Sequence, residues 1–369
     1  MQAQAMERTD SSSAGNLGCE RLPLSLVCTV LMLLCLLFPG PVRALDDFKV
    51  GFLTIGFSYP EERLRLDVNV WYPSIRNARE LNYAPYTIMA AREGKPCEGH
   101  FPLLIVSHPS PGTRFSYHDT CSWLASQGYV VAAPTHTQDC MDNMQLLFTW
   151  EQFKGRAHDI CRLIDELPKH QLLGSIIDRQ KIGLVGFGSG GTTALLLGGA
   201  LPDCISWPDY CPKAGKKDLY CNPWSREKVN AICREFPLKK SLKDPRIKAI
   251  AIVSPGFGML FSPRSFQHFT TPLLVLTAGK DTLNDHRLHA DVLTGYLRAQ
   301  SRTLFIAEAD MGALMAPCPD SLAKELSELC RSVSPKERLL IHKRMHEALA
   351  SFFSEELEKT GEGRREPGP

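Results

Sequence analysis

Six short apolar runs set the strongest limit on how this chain can fold. They occupy residues 103–106, 129–133, 182–185, 247–253, 273–277 and 303–306. Each is too short for a long helix, and continuous runs of this kind suit strands buried on both faces. Helical patterns lie between them, at 117–126, 150–167, 191–197 and 287–298. Strand alternating with helix predicts an α/β domain: a mostly parallel central sheet with helices on both faces. Upstream, Leu64, Leu66, Val68, Val70 and Tyr72 alternate with Arg65, Asp67, Asn69 and Trp71. That period of two marks a half-buried strand, with residues 50–55 placed to pair with it as a hairpin. Downstream, residues 335–357 form an amphipathic helix with Leu339, Leu340, Met345, Leu349, Phe352 and Phe353 on one side.

The first 44 residues stand apart. Arg21 precedes an uncharged apolar stretch, 22–38, which is followed by Pro39-Gly40-Pro41 and then Val42-Arg43-Ala44. Small residues at the −3 and −1 positions fit a signal-peptidase site. The same stretch is nearly long enough to span a bilayer, so the alternative is a signal anchor. Either reading exports the folded part, residues 45–359, to a periplasmic or extracellular setting. A cleaved signal leaves no stable membrane contact. Residues 360–369 (TGEGRREPGP) read as a disordered tail. The formal net charge of +2 is too small to steer the chain to nucleic acid or an anionic surface.

Of 13 cysteines, Cys19, Cys28 and Cys35 lie in the leader, and ten remain. An even number in an oxidising compartment suggests disulfides. No pair has CxxC spacing, and no zinc site is read from them. Cys204, Cys211, Cys221 and Cys233 fall in residues 201–243, a stretch rich in Pro and Trp without a long period. It interrupts the strand–helix rhythm and reads as a lid-like insertion stapled by these cysteines, with three connectivities open.

Residues 181–197 (KIGLVGFGSGGTTALLL) run directly from strand to Gly-rich turn to helix. This resembles the nucleophile elbow of the α/β-hydrolases. PLLIVSH at 102–108, WLASQGYVVAAPTH at 123–136 and LLVLTAGKD at 273–281 resemble, in order, that family's oxyanion strand, its next helix and strand, and the strand bearing its acid. The resemblance extends over most of residues 46–353. It is nearest to the predicted dienelactone hydrolases and the platelet-activating-factor acetylhydrolases, and it implies an α/β-hydrolase fold acting on carboxylic esters without a cofactor.

Laid on the family pattern Val-Gly-His-Ser-x-Gly-Gly, residues 185–191 put Phe187 on the histidine and Gly188 on the serine. Glycine has no atom that can attack a carbonyl. The shifted frame makes Ser189 the nucleophile, but it sets Phe187 where the turn wants a small residue. The structural alternative for Ser189 is a hydroxyl capping the next helix. In FIAEADMGALMAPC (305–318), the resemblance places Met311, beside Asp310, at the position of the basic histidine. Loss of base or nucleophile alone costs roughly 10⁴–10⁶ in turnover. Asp281 matches the acid, with a solvated, helix-capping carboxylate as the alternative. Ser110 and Ser189 match the residues whose N–H groups form the oxyanion hole. His108, followed by Pro109 where the family has glycine, is read as structural. The resemblance also places Cys318 and Cys330 beside the base loop as a disulfide.

Two further patterns carry less. His342 and His346 have the i, i+4 spacing of zinc ligands but lack the HExxH glutamate, and they read as a solvated basic face. GFGSGG has no dinucleotide-binding context. The leading expectation is therefore an exported hydrolase homologue that has lost catalysis and binds a small ester, lipid-like or peptide ligand. The alternatives are an unconventional esterase using Ser189, and a structural or partner-binding protein.

Overall fold

The computed structural model describes residues 47–235, 241–297 and 301–362; the leader expected at 1–44 lies outside them. Strands β1 (Lys49–Tyr59) and β2 (Leu64–Ser74) pair antiparallel along their whole length, from Lys49↔Ser74 to Tyr59↔Leu64. A second hairpin, β3 (Arg79–Tyr83) and β4 (Tyr86–Arg92), follows; its mixed composition gave no sequence signal. Then come β5 (Phe101–Ser107), α1 (His118–Ser126), β6 (Val130–Pro134), α2 (Trp150–Glu166), β7 (Ile177–Phe187) and α3 (Ser189–Gly198). The 201–243 insertion carries α4 (Tyr210–Ala214) and α5 (Pro223–Glu235). The chain continues through β8 (Ile247–Val253), β9 (Leu273–Ala278), α6 (Ala290–Tyr296), β10 (Ser301–Ile306), α7 (Met311–Leu314), α8 (Asp320–Glu325), α9 (Ser327–Cys330) and α10 (Pro335–Glu362).

One ten-stranded sheet results, in the order β10-β9-β8-β7-β5-β6-β2-β1-β4-β3. The run from β6 to β10 is parallel throughout, and β2 joins it antiparallel. Because side chains alternate across a strand, β7 feeds two cores. Ile182 and Leu184 pack with α2, α3 and the insertion, while Val185 and Phe187 pack with α1 and α10. The insertion is held by Cys204–Cys233 (Cα–Cα 5.8 Å) and Cys211–Cys221 (5.5 Å). Trp207, Tyr210, Tyr220, Val229 and Ile232 bury its inner side.

Five expectations change. Leu339 and Leu340, expected on the apolar side of the last helix, are exposed, while Met345, Leu349, Phe352 and Phe353 are buried. Residues 303–306 were assigned to a strand buried on both faces, but β10 is the edge of the sheet and Phe305 is half exposed. The helix expected at 287–298 shortens to α6, because Asp285–His289 form turns first. Helix α10 continues to Glu362, so the first residues of the expected disordered tail are helical, and 363–369 lie outside the described residues. His342 and His346 are buried, not a solvated face. No helix among the described residues is long and apolar enough to cross a membrane.

Candidate functional site

The turn from β7 into α3 is as tight as the sequence implies. A β-carbon on Gly186 would stand 2.2 Å from the Gly190 carbonyl oxygen, and one on Gly190 would stand 2.3 Å from that of Ser107. Only glycine permits this approach of β7, α3 and the end of β5. Gly188 is the turn residue itself, at φ 54° and ψ −118°, and Ser189 is the first residue of α3. The structure thus sets Gly188, not Ser189, at the sharp backbone reversal. Ser189 does not cap α3 either, since no side-chain cap bond is made there.

A β-carbon placed on Gly188 would lie 2.9 Å from Pro109 Cβ and 3.6 Å from Met311 Cε. Met311 starts α7, where Asp310 caps the helix by accepting a bond from Ala313 N–H (2.7 Å). Its sulfur receives the Tyr117 hydroxyl at 3.9 Å, and Tyr117 stacks on Phe187 at 3.5 Å between ring centroids. Asp281, beyond β9, is buried rather than solvated. Its Oδ1 accepts from Leu283 and Asn284 N–H groups (2.9 and 3.0 Å), an Asx turn rather than a helix cap, since α6 begins only at Ala290. Burial lifts the Asp281 carboxyl above the usual carboxylate range, against those two amide bonds and the side-chain bonds from Ser254 and Asn284.

Ser110 sits in a denser network. Its hydroxyl donates to Asp139 Oδ2 (2.7 Å) and accepts from Gln152 Nε2 (2.7 Å) and Arg156 (3.0 Å). Ser189 Oγ is 2.8 Å away. Either hydroxyl can be the donor between the two. Arg156 is fully buried, pairs with Asp139 and donates to the His108 carbonyl, which fixes the end of β5. Burial pushes Asp139 up, but the Arg156 charge and the Ser110 and Gln152 bonds outweigh it and hold the carboxyl below its ordinary value. Among the described residues, no acceptor is bonded to the Ser110 or Ser189 backbone N–H.

Sequence reasoning missed a second polar chain below this one. Ser107 Oγ lies 2.8 Å from His136 Nε2, and His136 Nδ1 lies 3.2 Å from Asp159 Oδ2. The order of groups mimics a Ser-His-Asp relay, yet all three are essentially unexposed and none lines the cavity over the elbow. Burial raises Asp159 to about 7 and pushes His136 well below its ordinary value, so the imidazole is neutral. The His136 amide donates to His108 Nε2 (3.0 Å), which makes His108 a strand-end structural residue.

Above the elbow lies a cavity of about 480 Å³. Gly188, Ser189, Ser110 and Met311 form its floor, and Phe148, Tyr220, Phe257, Met315, Leu322, Leu326 and Leu329 are among its walls. The insertion contributes Leu219 and Tyr220, and the Cys318–Cys330 disulfide (Cα–Cα 5.6 Å) lies at the rim. The sheet order, the glycine-packed elbow after the central β7, and an acid beyond β9 coincide in one arrangement.

The chain has the α/β-hydrolase fold.

Residues 87–149 match the family described as platelet-activating factor acetylhydrolase, isoform II; these residues run from β4 past the loop after β5 to the start of α2. Among solved structures, the chain is similar to a ferulic acid esterase from Streptomyces cinnamoneus, with 16% identity and a TM-score of 0.54. That similarity covers 89% of this chain and 94% of the esterase, and at this identity it bears on the fold alone. No curated protein matches the chain in sequence. Within this α/β-hydrolase framework, Asp281 lies beyond β9, Gly188 at the turn into α3 and Met311 at the start of α7.

Proposed function

We propose that this protein is an exported, catalytically silent α/β-hydrolase homologue that binds an acyl-chain ligand in the cavity over its elbow. One observation carries the reading: at the left-handed turn between β7 and α3 Gly188 offers no side chain, and a β-carbon there would face Pro109 at 2.9 Å and the Met311 methyl at 3.6 Å. Neither Gly188 nor Met311 can attack or deprotonate.

What the site retains is binding capacity. The walls are mostly apolar, and a cavity of this size accommodates a medium-length acyl chain. At its floor, the N–H groups of Ser110 and Ser189 supply a place for a carbonyl or carboxylate oxygen, with the Arg156 guanidinium behind Ser110. The apolar stretch at 22–38, followed by small residues at Val42 and Ala44, and three disulfides support export.

Displacement of a fluorescent fatty acid tests the binding reading. Wild-type protein is expected to bind one equivalent, and Met315→Trp, which fills the cavity, to weaken binding at least about tenfold at unchanged melting temperature. No saturable binding by folded wild-type protein sinks the proposal. A second reading, an unconventional esterase using Ser189, draws on the position of that hydroxyl in the cavity floor and its contact with Ser110.

A further inference from the structure

We infer that Asp119, His342 and His346 form a binding site for one zinc-type divalent cation, between helices α1 and α10. The two histidines share one face of α10 by their i, i+4 spacing. Helix α1 lays Asp119 across them, and one ligand atom from each residue lies within 4.8 Å of the others. His342 Nε2 is 2.9 Å from the Ala313 carbonyl oxygen, which can only accept, so Nε2 carries a proton. His342 Nδ1 is 2.7 Å from Asp119 Oδ2. A nitrogen lone pair and a carboxylate oxygen repel unless a positive centre stands between them, either a second proton or a metal ion.

Three features favour the metal. Asp119 Oδ1 is buried without a hydrogen-bond partner, which leaves a free donor atom on the carboxylate. Both imidazoles already have outer partners of the kind metal-bound histidines use: His342 on the Ala313 carbonyl, and His346 Nε2 on the Thr120 hydroxyl at 3.0 Å. Trp123 stacks on His346 at 4.9 Å and fixes its plane. The three residues also line a cavity of about 1190 Å³, which leaves a coordination position for water. Two nitrogens, one carboxylate and an open position form a donor set suited to Zn²⁺. Tetrahedral zinc with arms of about 2.0–2.1 Å spaces its ligands by about 3.4 Å, so the His342–Asp119 contact opens slightly and the widest pair closes by about an ångström or more. Arg338 faces the same cavity and opposes a dication, but its guanidinium is tied to the carbonyls of Gly312, Met315 and Cys330.

Calorimetric titration of chelator-stripped full-length protein with zinc chloride tests the site. One equivalent is expected, with micromolar or tighter affinity. His346→Ala and Asp119→Asn should each weaken it at least about 100-fold while the metal-free melting temperature stays near wild type. Cobalt(II) in the wild-type protein should show the intense visible bands of a four-coordinate ion, lost in His346→Ala. This readout stands even if one variant does not fold. Zinc binding undiminished in the folded variants, a pale six-coordinate cobalt spectrum, or no saturable binding overturns the inference and leaves a protonated His342–Asp119 pair.

Discussion

Ser189 Oγ meets Ser110 Oγ at 2.8 Å, and that hydroxyl, rather than an imidazole, is the partner of the only serine at the elbow. Ser110 already accepts from Gln152 and Arg156, and the carboxylate behind it is held below its ordinary proton affinity. On the catalytically silent reading, a proton leaving Ser189 has no base to receive it. Purified protein should give no burst with short-chain p-nitrophenyl esters and no fluorophosphonate adduct by intact mass. A stoichiometric adduct on Ser189 would reject the catalytically silent reading.

Restoring a nucleophile tests the scaffold. Gly188→Ser alone should add no turnover, because Met311 cannot activate a hydroxyl. It should also lower stability by about 1–3 kcal/mol, since a side chain is strained at φ 54° and its β-carbon meets Pro109 at 2.9 Å. Gly188→Ser with Met311→His and Pro109→Gly relieves that clash and should yield measurable ester hydrolysis above the single variant. Thermal melts and initial rates are the readouts. A Gly188→Ser protein as stable as wild type would contradict the strained geometry.

The Cys318–Cys330 bridge spans a sequence separation of 12 and lies at the cavity rim. In the chain-entropy account a loop of this size contributes about 3 kcal/mol. Replacing both cysteines by serine should lower unfolding free energy by roughly that amount and weaken ligand binding through a loosened α7–α9 wall. Urea unfolding measures the first effect and probe displacement the second. Recovery of both residues as free thiols in unreduced peptide maps would refute the pairing.

His289 couples the insertion to the body and makes stability pH-dependent. Its Nδ1 accepts from Gly258 N–H (3.0 Å), and its Nε2 is 3.0 Å from the Tyr210 hydroxyl, which donates to Asp218 (3.1 Å). Burial depresses its pKa to about 3. An unfolded histidine titrates near 6.5, so between about 6.5 and 3 the unfolded chain binds the extra proton. This group's contribution is thus complete at neutral pH and is lost as pH falls through that window, by up to about 1.4 kcal/mol per unit. His289→Gln should be less stable at pH 7 and lose less on acidification. Urea midpoints at pH 7, 5 and 4 that fall in parallel for both proteins would argue against this linkage.

Residue order alone specified the alternation that builds the parallel sheet, because apolar continuity and a 3.6-residue period are local properties of a segment. It also located the elbow, since Gly186 and Gly190 are demanded by backbone approach within a few residues. Two frames remained open there until the backbone at Gly188 took φ 54° and Ser189 entered the helix. Likewise, four insertion cysteines allow three pairings, and only the fold brings Cys204 to Cys233 and Cys211 to Cys221. The polar chemistry was least legible. Arg156 and Asp139 are 17 residues apart, and His342 meets Asp119 across 223. Such pairs leave no periodic trace, because their energy depends on which element ends converge and on how thoroughly water is excluded when they do.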